Sequence, residues 1–136
     1  MSIVIDCSVT LAWLYDDERS PAIEDVMRSV GEAGAMVPAI WRLEVANGLQ
    51  QGVRRRRIDA DFRDGALRDL SEMDVITDPD TDRFAWTRTL KLADRFRLTL
   101  YDACYLELAQ RRGMPIASLD QELRAAATQL ELELLI

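Results

Sequence analysis

The sequence contains no histidine. The usual Ser-His-Asp and Cys-His catalytic arrangements need an imidazole, so both are excluded. A histidine acid–base pair that cleaves RNA without a metal is excluded for the same reason. Whatever chemistry the chain performs must therefore rely on carboxylates, hydroxyls, arginines or a bound metal ion.

Cysteine, clustered glycine and long apolar segments are also scarce. The two cysteines, Cys7 and Cys104, are too few for a disulfide framework or a structural zinc site, and they suit a reducing cytosol. The six glycines are scattered, so no glycine-rich phosphate loop or dinucleotide-binding fingerprint is present. No apolar run approaches membrane-spanning length, and the N-terminus lacks the features of a signal peptide. We therefore expect a cytoplasmic protein that does not contact a membrane.

The overall composition is that of an ordinary globular domain. The chain has 136 residues, of which 49% are hydrophobic and 30% are charged, and this length suits one domain spanning residues 1–136. The formal net charge of -7 argues against nucleic-acid binding through bulk charge. Any contact with RNA would therefore depend on local clusters of basic residues.

Short apolar runs alternate with helical patterns along the chain. Helices are expected between the runs, including a long helix over about 81–96 and another from Thr99 to Gly113. Alternation of this kind is typical of an α/β fold with a largely parallel sheet and helices on both faces. The expected strands lie near residues 2–6, 35–37, 75–76, 115–118 and 133–136.

Four carboxylates occupy positions at which an isolated acidic side chain is hard to explain: Asp6, Glu44, Asp102 and Asp120. Asp6 and Asp120 follow strand-like runs, and open parallel sheets bind ligands beyond the C-terminal ends of their strands. Glu44 lies at the margin of an apolar helical stripe, and Asp102 lies within an apolar helix face. Acidic groups that converge without a neutralising partner favour a hard cation such as Mg²⁺ or Mn²⁺, which prefers oxygen ligands.

Each of these carboxylates also has a structural interpretation. Asp120 would cap the last helix in any case, and either Asp6 or Ser8 would cap the first one. Glu44 would be equally well explained as a solvated side chain at the edge of its stripe. The four positions taken together are more informative than any one of them.

Asp102 is the hardest of the four to explain by structure alone. Burial of an ionised carboxylate is costly without a partner, and Arg42 and Arg95 are the candidate partners. Glu107 lies on the same predicted helix, four residues before Arg111, and we expect these two to form an ion pair at the surface.

Four segments carry a recognisable pattern: IVIDCS at 3–8, WRLEVAN at 41–47, LTLYDACYLELA at 98–109 and IASLDQEL at 116–123. The pattern resembles the PIN-domain ribonucleases, and most closely the VapC-type toxins of bacterial toxin–antitoxin pairs. One small departure is Leu119, where the family more often has a small residue. The resemblance covers essentially the whole chain and implies a single PIN domain over 1–136. The implied fold is an α/β/α sandwich around a mostly parallel sheet of about four to five short strands.

The resemblance implies an endoribonuclease that depends on Mg²⁺ or Mn²⁺. A metal-activated water would hydrolyse an RNA phosphodiester bond. The implied catalytic and metal-binding residues are Asp6, Glu44, Asp102 and Asp120. The residues that would support these carboxylates or the water by hydrogen bonding are Ser8, Ser118 and Asn47.

The implied partners are RNA, a small cognate antitoxin that covers the acidic pocket, and a second copy of the chain in a homodimer. Apolar residues of the early helices would form part of the antitoxin groove or else ordinary core; they are Leu11, Trp13 and Leu14. Four consecutive arginines exceed what a helix C-terminus needs, and we expect them to contact RNA phosphates or an acidic partner. They are Arg54, Arg55, Arg56 and Arg57.

Three alternatives stay open at this point. One is a phosphoryl-transfer hydrolase with an aspartyl nucleophile at Asp6, although Ser8 stands where such enzymes usually have a second aspartate. Another is a catalytically silent PIN-like binding domain, in which the carboxylates anchor a cationic peptide. The third is a housekeeping PIN-domain nuclease that processes RNA.

Overall fold

The computed structural model describes residues 2–136. Within this range, four strands and eight helices alternate along the chain. They are β1 (Ile3–Ile5), α1 (Cys7–Leu14), α2 (Pro21–Ala33), β2 (Ala35–Val37), α3 (Trp41–Arg54), α4 (Ala60–Ser71), β3 (Val75–Thr77), α5 (Thr81–Phe84), α6 (Arg88–Phe96), α7 (Leu100–Arg112), β4 (Ile116–Ala117) and α8 (Gln121–Gln129).

The strands form one sheet in the order β3-β2-β1-β4, and every neighbouring pair is parallel. The two innermost pairings place Val4 opposite both Met36 on β2 and Ile116 on β4. Since β1 is flanked on both sides and covered on both faces, it is made of the apolar run Ile3-Val4-Ile5, which is at most 3% exposed. The predicted α/β fold with a parallel sheet is confirmed.

The helices pack in two groups. Helix α1 contacts α2 and α3, and α3 contacts α4, whereas α7 contacts α6, α8, β1 and β4. Residues 103–109 of α7 are all buried, so the middle of this helix has no face left for solvent, whereas Tyr101 and Arg112 near its ends are exposed. The middle of α7 is therefore buried on every side and lacks the polar face of an amphipathic surface helix.

Burial of the middle of α7 corrects the expectation that Glu107 and Arg111 pair at the surface. Glu107 and Arg111 do pair, at 3.0 Å, but Glu107 is only 3% exposed. The guanidinium of Arg111 also pairs with the buried carboxylate of Asp78 at 2.5 Å and lies over the ring of Phe84, 4.8 Å from its centroid. The predicted surface pair is thus part of a buried network that ties α7 to the C-terminal end of β3.

Two expected elements differ in the structure. The long helix predicted over 81–96 is broken into α5 and α6, because the two parts have different packing partners. Thr81 on α5 accepts a hydrogen bond from the Ala39 N–H before α3, whereas α6 packs along α7. The last predicted strand is reduced to a single bridge between Ile116 and Leu134, since β4 itself has only two residues to pair with.

No helix in residues 2–136 is both long and apolar enough to cross a membrane.

Candidate active site

The order of the strands creates a crevice between β1 and β4. From β1 the chain goes to β2 on one side, and β4 joins β1 from the other side. In open α/β sheets, ligands bind outside the C-terminal ends of strands at such a switch point. Asp6 directly follows β1 and Ser118 directly follows β4, so both lie at this crevice.

Asp6 is held by three hydrogen bonds and is only 5% exposed. Its Oδ1 accepts from the Ser8 hydroxyl at 2.6 Å and from the Val9 N–H at 3.0 Å, and its Oδ2 accepts from the Ser118 hydroxyl at 2.5 Å. Asp6 is therefore the N-cap of α1. The alternative that Ser8 caps this helix is wrong, because Ser8 lies inside the first turn and donates to the capping carboxylate.

The two serine hydroxyls also receive hydrogen bonds from the segment that follows β4. Ser8 Oγ accepts from the Leu119 N–H and Ser118 Oγ accepts from the Asp120 N–H, both at 3.0 Å. Ser8 thus links Asp6 to the backbone N–H of Leu119, and Ser118 links Asp6 to the backbone N–H of Asp120. This arrangement fixes the two strand ends of the crevice relative to each other.

Glu44 lies in the first turn of α3 and is partly buried. Its Oε1 accepts a 2.6 Å hydrogen bond from the hydroxyl of Tyr105 on α7. Asn47 was expected to orient Glu44, but its side chain is exposed and makes no hydrogen bond in the described part of the chain. The sequence pattern did not identify Tyr105 as a partner of Glu44. The only sequence signal for Tyr105 was its position three residues after Asp102, on the same helix face.

Asp102 lies in the first turn of α7, and its backbone N–H donates to the cap residue Thr99 at 3.1 Å. Its carboxylate forms no ion pair with any residue from Ser2 to Ile136. Neither Arg42 nor Arg95, the two partners considered from the sequence, pairs with it; Arg95 instead lies over the ring of Phe96. The structural explanation of Asp102 through an arginine therefore fails.

Asp120 performs the structural role that was expected for it. It is the N-cap of α8, and its Oδ1 accepts from the Leu123 N–H at 2.8 Å. Capping uses one carboxylate oxygen and leaves the charge without an ion-pair partner within residues 2–136. Capping and a role in the site are therefore compatible.

Three of the carboxylates, Asp6, Glu44 and Asp102, have raised pKa values, chiefly because they are buried. Burial raises the pKa of Asp6, hydrogen bonds from Ser118, Ser8 and the Val9 N–H partly offset it, and the charge of Asp120 raises it further. Burial raises the pKa of Glu44, which the Tyr105 hydrogen bond opposes and the charges of Asp102 and Asp6 reinforce. Burial and the charges of Asp120 and Asp6 raise the pKa of Asp102. The four carboxylates thus share one acidic crevice, and within residues 2–136 none of them forms an ion pair.

Cys7 follows Asp6 and is partly buried. Burial, together with the charges of Glu44 and Asp6, raises the pKa of its thiol to about 12. A thiol with this pKa stays protonated at neutral pH and is a poor nucleophile. The crevice therefore offers carboxylate and hydroxyl oxygens as its reactive groups.

These residue types fit a hard divalent cation by their chemistry, because Mg²⁺ and Mn²⁺ prefer oxygen ligands and the crevice carries uncompensated negative charge. In residues 2–136, however, no three acidic or cysteine side chains lie close enough together to hold an ion. Since Mg²⁺ usually keeps several of its waters, contacts through water suit this spacing better than a closed cage of side chains.

A model of the PIN domain matches residues 3–129. The chain belongs to the PIN-domain family. A curated relative, Ribonuclease VapC3 of Pyrobaculum aerophilum, is 28% identical over 123 residues, which are 90% of this chain and 92% of the relative.

Solved structures agree with this assignment. PAE2754 from Pyrobaculum aerophilum superposes with a TM-score of 0.69 at 26% identity, over 93% of this chain and 79% of the other. Two further structures are less than 25% identical and support the fold alone. They are VapC20 of Mycobacterium tuberculosis, described as a sarcin-ricin loop cleaving toxin (TM-score 0.67, 20% identity, covering 92% and 95% of the two chains), and FitAcB of Neisseria gonorrhoeae (TM-score 0.67, 12% identity, covering 98% and 96%).

The four-arginine run of this PIN domain divides into two parts. Arg57 pairs with Asp17 at 2.6 Å and Glu18 at 2.7 Å, and it lies over the ring of Tyr15, 3.7 Å from the centroid. It therefore fastens the end of α3 to the segment after α1. The other three, Arg54, Arg55 and Arg56, are exposed and form no ion pair in the described residues.

Proposed function

We propose that this PIN domain is an endoribonuclease that depends on Mg²⁺ or Mn²⁺ and acts in the cytoplasm as the toxin of a VapBC-type toxin–antitoxin pair. The observation that carries the proposal is the acidic crevice, in which burial and neighbouring carboxylate charges raise the pKa values of Asp6, Glu44 and Asp102, and none of the three forms an ion pair within residues 2–136. Such uncompensated charge is costly unless the site takes up a cation. The similarity to a curated VapC ribonuclease over 90% of the chain supports RNA as the substrate.

The proposed roles follow from how each carboxylate is held. Asp102 forms no ion pair in residues 2–136 and would be a direct ligand. Asp6, fixed by Ser8 and Ser118, and Glu44, fixed by Tyr105, would hold the ion or its waters. When bound, the ion would neutralise charge on the scissile phosphate and acidify a water molecule.

The substrate contact is proposed for the exposed part of the arginine run. Arg54, Arg55 and Arg56 carry charges that no carboxylate in residues 2–136 neutralises, so they are available for phosphates. Arg57 contributes less, because it is already bound by Asp17 and Glu18. A basic patch of this kind allows an acidic chain with a net charge of -7 to bind RNA.

We propose an antitoxin and a second copy of the chain as the protein partners. A cleft of about 370 Å³ lies between the end of α1 and α4 and is lined by Trp13, Leu14 and Phe62 among others. Leu14 is only 7% exposed and Leu11 packs against Gly48, so Trp13 is the member of the predicted groove most available to a partner.

The direct test is cleavage of total cellular RNA by the purified protein, stripped of any bound partner, with Mg²⁺, with Mn²⁺ and with EDTA. We expect cuts that require the metal and disappear in the Asp102→Asn variant. The matched control is Asp94→Asn, because Asp94 is exposed on α6, forms no ion pair in the described residues, and should not affect cleavage.

The two main rival functions give different results in the same experiment. A silent binding domain would cut nothing with either metal, and Asp102→Asn would leave its cellular effect unchanged. An aspartyl-nucleophile hydrolase would yield a phosphoaspartate at Asp6 that mass spectrometry detects. Neither result is compatible with the proposed nuclease.

A further inference from the structure

The hydroxyl of Tyr105 connects two of the helices that carry carboxylates of the acidic crevice. It donates a 2.6 Å hydrogen bond to Glu44 Oε1, and so connects α7, which carries Asp102, to α3, which carries Glu44. The two bonded residues are 61 positions apart in the sequence. The rest of the Tyr105 side chain is packed in the core, with 1% of the residue exposed.

The position of Tyr105 on its helix makes this bond a restraint on the crevice. Asp102 and Tyr105 are three residues apart on α7 and therefore share a face. The carboxylate charges of Asp102 and Glu44 repel each other. Without a restraint, the flexible side chain of Glu44 would turn away from Asp102 toward solvent. The phenol hydroxyl opposes that movement.

The bond also determines which oxygen of Glu44 is available. An ionised carboxylate only accepts hydrogen bonds, so the phenol is the donor. Glu44 Oε2 has no hydrogen-bond partner in residues 2–136, and it is not a buried unsatisfied atom. Tyr105 therefore holds Oε1 of Glu44, whereas Oε2 remains free on the open side of the crevice.

We propose that Tyr105 is a positioning residue that holds Glu44 by Oε1 and leaves Oε2 free to contact a divalent cation or its waters. The inference rests on the proposed metal-dependent function and adds to it a residue that acts through Glu44. The alternative is that the hydroxyl contributes to folding alone, by giving a buried phenol an acceptor.

The first test is the Tyr105→Phe variant, which keeps the buried ring and removes only the hydroxyl. We expect its affinity for Mn²⁺, measured by electron paramagnetic resonance or calorimetry, to fall by about tenfold or more, as is typical when a partner of a metal ligand is removed. For RNA cleavage, kcat should fall while KM changes by less than about twofold, because Tyr105 does not touch the substrate.

Tyr15→Phe is the matched control, because Tyr15 is also buried and its hydroxyl makes only a weak 3.5 Å contact with the Gly48 carbonyl. This variant should bind Mn²⁺ like the unmodified protein. Equal Mn²⁺ affinity in Tyr105→Phe, Tyr15→Phe and the unmodified protein would overturn the proposal.

A double-mutant cycle with Glu44→Ala separates positioning from folding. If Tyr105 acts through Glu44, then Tyr105→Phe has no further effect on Mn²⁺ affinity once Glu44 is removed. Losses of affinity that add independently would show that the hydroxyl does not act through Glu44. Asp102→Asn tests the metal site separately from the role of Tyr105. If this variant leaves Mn²⁺ binding intact, the proposed metal site itself fails, along with any role of Tyr105 in it.

A measurement on the unmodified protein avoids any effect of the variants on folding. The chain has three tyrosines, so ¹³C-labelled tyrosine gives a simple NMR spectrum. We expect Mg²⁺ to shift the Cζ resonance of Tyr105 and to leave that of Tyr15 in place. A Tyr105 resonance that does not respond to saturating Mg²⁺ would contradict the proposal.

Discussion

The hydroxyl of Ser118 donates to Asp6 Oδ2 across 2.5 Å, although the two residues are 112 positions apart in the chain. The bond forms because parallel pairing of β1 with β4 brings the C-terminal ends of both strands to one edge of the sheet. It holds the most deeply buried of the four carboxylates.

Replacement of Ser118 by alanine should destabilise the fold. The change removes a buried donor from Asp6 and leaves Oδ2 short of a partner, at an expected cost of about 1–3 kcal/mol in the free energy of unfolding. Urea denaturation at neutral pH measures the loss. Ser29→Ala is the control, since Ser29 is exposed and donates only to the Asp25 carbonyl. A loss in Ser118→Ala no larger than in the control would contradict the importance of this bond.

Asp102→Asn should stabilise the metal-free protein at neutral pH. Burial and the charges of Asp120 and Asp6 raise the pKa of Asp102 in the folded state. An acid with a raised folded pKa makes the fold less stable as the pH rises through that interval, because the folded state holds the proton more tightly. We expect the melting temperature of the variant to be higher by about 2–4 °C.

The sign of this effect can be checked by changing the pH. Below the ordinary carboxyl pKa of 3.8, Asp102 is protonated in both folded and unfolded protein, so the advantage of Asp102→Asn should disappear. Asp94→Asn serves again as the exposed control. A variant that is less stable than the unmodified protein at neutral pH would show that the carboxylate stabilises the fold.

Arg111→Met should be strongly destabilising. The guanidinium neutralises the side chains of Asp78 and Glu107, which are 1% and 4% exposed. Removal of the guanidinium that pairs with both carboxylates is expected to cost about 3–5 kcal/mol, because the buried charges lose their ion-pair partner. Arg112→Met is the control on the neighbouring exposed residue and should change stability by less than about 0.5 kcal/mol. Chemical denaturation measures the free energy of unfolding of both variants, and similar losses in the two would refute the prediction.

Gly52→Ala should destabilise the protein although alanine favours helices. A Cβ at Gly52 would lie 2.3 Å from the hydroxyl of Tyr15, whose ring is itself held under Arg57. Overpacking of this kind costs about 1–3 kcal/mol. Gly65→Ala on α4 meets nothing within 4 Å and should stabilise by up to about 1 kcal/mol. Thermal melts of the two variants should therefore shift in opposite directions, and a shared direction would count against the tight contact.

Simultaneous replacement of Arg54, Arg55 and Arg56 by glutamine should weaken RNA binding and flatten its salt dependence. Each phosphate contact that is lost removes about 0.7–0.9 from the slope of log K against log salt. Fluorescence anisotropy with a single-stranded RNA, over a range of salt concentrations, measures both effects. Arg57→Gln is the matched control and should change the slope least, because Arg57 is occupied by Asp17 and Glu18. An unchanged slope in the triple variant would remove the run from the interface.

The order of elements was predictable because each one depends on local patterns. Apolar runs and helix-start residues such as Thr99 and Asp120 placed the predicted elements to within a few residues. Predictions failed where long-range packing overrides local preference. The helix expected over 81–96 breaks because its two parts contact different elements, and Glu107 is buried because the middle of α7 is covered on every side.

The candidate site shows the same division. Asp6, Glu44, Asp102 and Asp120 were identifiable because carboxylates beside apolar runs are unusual in a sequence. Their supporting partners depend on contacts between distant segments. Proximity in sequence suggested Asn47 as the partner of Glu44, whereas the structure supplies Tyr105 from another helix. The roles of the four carboxylates in binding metal remain predictions that the Mn²⁺ and cleavage measurements would decide.

By itself, the sequence determined the alternation of strands and helices, the resemblance to PIN domains and the absence of any imidazole chemistry, because these depend on composition and local periodicity. Tertiary structure alone decided that β1 and β4 are neighbours, that Arg111 neutralises buried carboxylates, and that a phenol holds Glu44. The physical reason is that hydrogen bonds and charge pairs act over a few ångströms in space. Which residues come that close depends on the packing of the whole chain.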